Sequence, residues 1–163
     1  MPKRVLVLDN KHAIRAVKKH NTDNFLQFTF CKNIQELDIE IQNNGIPDLV
    51  LIDVCLDSSD GLKPVTMEAV NSLFSDGAFH HEVPSGYGWY LENRCKYAFP
   101  MILCSAFDYV IKGLDKKEPG LYKVLETVNM EEICSYVRAH KVLFVSRDHD
   151  VGRIADIITA ILQ

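Results

Sequence analysis

The sequence predicts a doubly wound α/β domain on a five-stranded parallel sheet, and three observations predict it. The segments "KRVLVLDN" and "DLVLIDV" hold short, continuous apolar runs, the pattern of parallel strands covered on both faces. Strand-like and helix-like stretches alternate, giving five βα units in about 140 residues, as one sheet wrapped by helices requires. A chain of 163 residues, 47% hydrophobic and 25% charged, is also long enough for one domain with a real core.

Each element follows from its own pattern. The first strand ends in Asp9, and "HAIRAVKKHN" after it has helical character. "FLQFTFCKN" alternates like a strand, and "NIQELDIEIQNNG" reads as a helix. Its Ile34, Leu37 and Ile41 recur at helical spacing, and Gly45 suits the stop. After the third strand, "DLVLIDV", comes a helix around "GWYLENRCKYA", whose neighbourhood places Tyr87, Trp89 and Tyr90 in the core. The fourth strand is "PMILCSA", followed by a weaker helix in "FDYVIKGLDKK". "LYKVLET" is the expected fifth strand. Asn129 caps the helix "NMEEICSYVRAH", in which Met130, Ile133 and Val137 share a face.

Composition excludes several classes. A net charge of −4 and a pI near 5.8 argue against a nucleic-acid surface. No apolar stretch reaches transmembrane length, and "MPKRVLVLDN" is too short and too soon polar for a signal peptide. The five cysteines, Cys31, Cys55, Cys95, Cys104 and Cys134, are odd in number and lack CxxC spacing. They read as reduced, buried thiols of a cytoplasmic protein. Neither GxGxxG nor GxxxxGK[ST] occurs, which leaves the usual nucleotide sites without support.

In open α/β sheets ligands sit at the carboxyl ends of the strands. Asp9 ends the first strand, Asp53 nears the end of the third and Ser105 ends the fourth. If those strands are neighbours, two carboxylates and a hydroxyl share one cleft. Two carboxylates 4 Å apart repel by about 4 kcal/mol at an effective dielectric near 20. A hard cation such as Mg²⁺ removes that cost, and a carboxylate beside it can attack a phosphoryl group.

The ordered motifs "DLVLIDV", "PSGYGWYLENRC", "FPMILCSA" and "LYKVLETVNMEEI" resemble the receiver domain of bacterial response regulators, over residues 3–140. The resemblance implies a flavodoxin-like receiver fold and a phosphoacceptor at Asp53, served by a histidine kinase or phosphotransfer protein and read by a downstream signalling protein. It implies Mg²⁺ on Asp9, Asn10, Asp53 and the backbone carbonyl of Cys55, with Ser105 as the switch hydroxyl and Tyr122 as the switch aromatic. The family's Lys-Pro pair aligns with Glu126 and Thr127, which reverses the charge facing the phosphate. Lys123 points to the other strand face. Asn10 replaces an acid, so the implied metal site is weakened and phosphorylation reduced or lost. Lys11 or Lys63 is the candidate replacement cation.

The expected organisation is a domain over 1–140 with an insertion at 57–83, then a C-terminal extension over 141–163. A loop this long carries its own structure or a function. "KPVTMEAVNSLFSDG" reads as a helix, with Pro64 in its first turn, Met67, Val70 and Phe74 on one face and Gly77 at its end. A lid over the acidic cleft and a surface decoration both remain open. In the tail, "VLFVS" is a strand or a helix extension. Asp150 caps a last helix whose Ile154, Ile157, Ile158, Ile161 and Leu162 form an apolar stripe. The stripe packs on the domain; a homodimer, or docking to a region beyond an abrupt end at "AILQ", is the alternative. "HHE" at 80–82 and "RDHD" at 147–150 read as solvated or capping residues rather than metal sites.

Three functions follow in order: a phosphoacceptor signalling domain, a pseudo-receiver that acts as an interaction module, and a small Mg²⁺-dependent phosphohydrolase. The last is weakest, because "DNK" lacks the second acid expected two residues after its nucleophile. The first two are not enzymes, and neither implies direct contact with nucleic acid or membrane.

Overall fold

A computed structural model describes residues 1–9, 24–73, 83–147 and 151–163 of the chain. Its centre is a parallel sheet of β1 (Lys3–Leu8), β2 (Leu26–Cys31), β3 (Leu49–Asp53), β4 (Met101–Ser105), β5 (Lys123–Val124) and β6 (Val142–Ser146). The spatial order is β2-β1-β3-β4-β6-β5, and every pairing is parallel. The fold class is the expected one, with six strands in place of five.

Alternation along each strand divides the core in two. Leu6, Leu8, Val50, Ile52, Leu103 and Phe144 face one layer, covered by α1 (Ile34–Asn44), α3 (Ser85–Asn93) and α4 (Asp108–Lys117). Val5, Val7, Leu49, Leu51, Ile102, Leu143 and Val145 face the other, covered by α5 (Met130–His140) and α6 (Val151–Leu162). The expected helix over "HAIRAVKKHN" lies outside the described residues.

Local chemistry sets the helix ends. The Asn33 side chain accepts from the Glu36 N–H at 2.9 Å, and Ile34, Leu37 and Ile41 are the buried face of α1. Asn129 caps α5 the same way through Glu132 N–H at 3.2 Å. The helix α5 stops at Lys141, whose left-handed φ of 60° reverses the chain. The next strand starts one residue later.

That strand corrects two expectations. The run "VLFVS" is β6, buried at all five positions, and it lies inside the sheet between β4 and β5. The expected fifth strand "LYKVLET" pairs only through Lys123 and Val124, at the sheet edge. Its Leu125, Glu126 and Thr127 are exposed, so they gain nothing from burial that would hold them in a longer strand. Residues 141–163 are therefore not an appendage to a unit ending at 140. They supply a central strand and the helix α6, whose Ile154, Ile157 and Ile158 are buried in the second core layer.

Winding obeys one handedness. The step from β4 to β5 carries α4 on the first face; the step back from β5 to β6 reverses direction and carries α5 on the opposite face. Reversing both keeps the crossover right-handed.

Within the insertion, α2 (Pro64–Leu73) forms where the sequence predicts a helix. Its Val70 is fully buried, and α2 lies against α3 and α4. Leu56 and Val83 exchange backbone hydrogen bonds of 2.8 and 2.7 Å, pinching the base of the loop closed. The predicted stop at Gly77, Phe74 and the "HHE" segment lie outside the described residues. Of the cysteines, Cys31, Cys55 and Cys104 are buried as expected, whereas Cys134 is partly buried and Cys95 is exposed. No helix among the described residues is long and apolar enough to cross a membrane.

The start of α3 is held against the end of β3. The Gly86 N–H donates to the Val54 carbonyl at 3.0 Å, and a Cβ on Gly86 would stand 1.9 Å from the Asp53 carbonyl oxygen. Backbone cannot yield that distance cheaply. Gly86→Ala is expected to destabilise the domain by at least about 2 kcal/mol, read from urea unfolding midpoints at unchanged slope.

Candidate functional site

Four adjacent strands, β1, β3, β4 and β6, deliver Asp9, Asp53, Ser105 and Arg147 to one end of the sheet. Asp9 follows β1 directly, and its N–H continues the pairing with β2 by donating to the Cys31 carbonyl at 3.1 Å. Asp53 closes β3, in register with Cys104 of β4. Ser105 closes β4 opposite Ser146, and the next residue, Arg147, donates its N–H to the Ser105 carbonyl at 3.1 Å. Sheet register thus sets all four positions.

The acids are deeply enclosed, with Asp9 0% and Asp53 2% exposed. The two carboxyl groups lie close enough for Asp9 to perturb Asp53. Asp53 Oδ1 accepts from the Cys55 N–H at 3.4 Å, and Arg147 Nη1 donates to Asp53 Oδ2 at 3.3 Å. Burial pushes Asp53 up to about 7; Arg147 opposes the rise, Asp9 adds to it through charge and hydrogen bond, and the Cys55 N–H opposes it. Beside them, burial and the Asp53 charge raise the Cys104 thiol. Ser105 is 1% exposed, and its Oγ accepts from the Phe107 N–H at 3.2 Å.

Asp9, Asp53 and Ser105 therefore converge as the sequence predicts. Cys55 is buried two residues beyond Asp53, with its Sγ 3.9 Å from the Tyr109 hydroxyl. Asn10 and Lys11 lie outside the described residues. Lys63 lines a separate cleft of about 540 Å³ between α1 and α3, with Asp38, Trp89, Glu92 and Lys96. Its backbone N–H donates to Glu92 Oε1 at 3.3 Å.

Two positions inferred from the presumed fifth strand are not at the site. Tyr122 lies before the edge strand β5, its hydroxyl donating to Glu132 Oε2 at 2.9 Å and its ring 5.6 Å from Tyr136. Glu126 is exposed beyond the same strand. The strand beside β4 is β6, so the cation facing Asp53 is Arg147 and the aromatic on that strand is Phe144, fully buried in the first core layer. Arg147 escapes sequence reasoning because chain order puts "LYKVLET" beside the fourth strand and leaves "VLFVS" in the C-terminal extension. The signal was present as a basic residue closing a wholly apolar run.

Hard oxygen donors suit a cation such as Mg²⁺. Asp9 and Asp53, both buried at one end of the sheet, are donors of that kind. Among the described residues no group of three or more His, Cys, Asp and Glu is arranged for a metal.

No family model and no curated protein matches the sequence. Solved structures do match. The N-terminal domain of a response regulator/sensory box/GGDEF protein from Carboxydothermus hydrogenoformans aligns over 98% of this chain and 94% of its own, at 12% identity and a TM-score of 0.54. The N-terminal domain of the nisin resistance regulator NsrR, a lantibiotic response regulator, aligns over 100% of both chains at 15% identity and a TM-score of 0.53. A response regulator from Thermotoga maritima covers 99% of this chain and 98% of its own at 16% identity and a TM-score of 0.50.

The chain has a receiver fold. At these identities the likeness is one of fold, and the chemistry rests on the side chains at its acidic end. The receiver fold here carries Arg147 beside its acidic pair and the insertion behind α3.

Because folding raises the Asp53 pKa, the folded state binds the extra proton between the ordinary carboxylate value of 3.8 and about 7. Its contribution to stability is present below that window and is lost as pH rises through it. In EDTA, Asp53→Asn is expected to gain on the wild type by several degrees of Tm between pH 4 and pH 8. An unchanged difference across that range would contradict the burial-driven shift.

Proposed function

We propose that the chain is a signal-transduction receiver-like domain that accepts a phosphoryl group on Asp53. The observation that carries this reading is the meeting of Asp9, Asp53, Ser105 and Arg147 at one end of the sheet. The donor is a histidine kinase or phosphotransfer protein, the reader a downstream signalling protein, and the setting the cytoplasm.

Each residue has a part. An ionised Asp53 oxygen attacks phosphorus as the bond to the donor's imidazole nitrogen breaks, and the imidazole leaves with the electron pair. Asp9 and Asp53, with the Cys55 carbonyl as the resemblance implies, would hold Mg²⁺, which would supply neutralisation of the phosphoryl oxygens. Arg147 offers a planar fork of donors to those oxygens, so the charge reversal inferred from Glu126 does not apply. Ser105, held by the Phe107 N–H at 3.2 Å, stands ready to turn its hydroxyl toward the new anion.

One observation favours a second reading, a pseudo-receiver that serves as a phosphorylation-independent interaction module. Both acids are sealed from solvent, and Arg147 already supplies a positive charge to them. The two readings separate in one measurement. Incubation with Mg²⁺ and acetyl phosphate, followed by intact mass, is expected to give one labile phosphoryl adduct that Asp53→Ala abolishes. An unmodified wild-type mass would transfer the assignment to the interaction module.

A further inference from the structure

We propose that the cleft between α1 and α3 is a binding site for a small zwitterion of the amino-acid class carrying an apolar side chain. It uses neither Asp9 nor Asp53, so it stands whether or not Asp53 takes a phosphoryl group.

Three elements build the cleft, which has a volume of about 540 Å³. Small-molecule sites span about 300–1,000 Å³. The insertion crosses from one helix to the other. A Cβ on Gly61 would stand 3.0 Å from Ile34 Cγ2 of α1, and a Cβ on Gly88 of α3 would stand 2.6 Å from Leu62 Cδ1. Gly61 takes a φ of 97°, which lets the turn pass this close to α1. On the helices themselves, the Trp89 indole N–H of α3 donates to Asp38 Oδ1 of α1 at 2.9 Å and ties the two together.

The lining sets the class of ligand. Asp38 and Glu92 bring two carboxylates, and Lys63 and Lys96 bring two ammonium groups. Each carboxylate has one oxygen engaged by a protein N–H: Asp38 Oδ1 by Trp89, and Glu92 Oε1 by the Lys63 backbone at 3.3 Å. Among the described residues no carboxylate pairs with the Lys63 or Lys96 ammonium, and Lys96 Nζ lies 5.2 Å from the centroid of the Tyr97 ring. Charges of both signs thus line one cleft without pairing with each other. A simple anion or a simple cation would be attracted by one pair and repelled by the other. A zwitterion meets both, its ammonium on the second oxygens of Asp38 and Glu92 and its carboxylate on Lys63 and Lys96. Ile41 and the partly buried Tyr97 ring supply apolar surface for its side chain.

Trp89 lines the cleft and is the chain's one tryptophan, so its emission reports occupancy. L-Leucine titrated into the full chain is expected to change that emission with saturation. N-acetyl-L-leucine, which lacks the ammonium, and L-leucinamide, which lacks the carboxylate, are each expected to bind at least about tenfold more weakly. Asp38→Asn keeps an oxygen for the indole N–H and removes the charge, and Lys63→Met keeps the stem and removes the charge. Either is expected to weaken leucine binding about tenfold. No saturable change with leucine overturns the proposal, as does equal binding of either blocked form or wild-type affinity in both variants. Should a variant not fold by circular dichroism, the three ligands compared on wild type decide the question.

Discussion

Parallel pairing of β4 with β6 is the constraint on which the rest of the molecule depends. It places Ser146 opposite Ser105 and carries Arg147 past the sheet's rim, within reach of Asp53 one strand further over. It also forces β5 to the edge, so the chain must go out and come back. That return is why α5 and α6 share one face of the sheet while α4 lies on the other. Among the described residues, this pairing is what brings Arg147 to Asp53.

The site balances burial against charge. Enclosure penalises an ionised Asp53, and Asp9 beside it adds a second penalty. Arg147 and the Cys55 N–H pull the other way, and the result sits near neutrality. A carboxylate poised there is neither fully committed to a proton nor fully free of one. The same enclosure that protects the pair from solvent makes every added charge count, because little water remains to screen it.

The insertion belongs to this arrangement rather than hanging from it. Its base is closed by the Leu56–Val83 bridge, and the Ser85 hydroxyl donates to the Ser58 carbonyl at 2.7 Å. Gly86 brings α3 onto the Asp53 carbonyl, and α2 rests on α3 with Val70 in the core. The buried aromatics of α3 also have hydrogen-bond partners: Trp89 donates to Asp38 Oδ1 and Tyr87 to Glu118 Oε1, each at 2.9 Å. The strand β3, the insertion's base and α3 are thus bound by short local contacts.

Local pattern determined much of this protein. Uniform apolar runs marked β1, β3 and β4, helical spacing at Ile34, Leu37 and Ile41 marked α1, and the caps at Asn33 and Asn129 marked helix starts. Asp9, Asp53 and Ser105 were legible because each ends such a run, and parallel strands send their ends the same way. Tertiary structure alone decided which strand lies beside β4. "LYKVLET" reads as a strand and "VLFVS" as a strand or a helix extension, and their order in the chain favours the first. Burial chose the second, because a run apolar on both sides gains most from the middle of the sheet, whereas Glu126 and Thr127 keep their water at the edge.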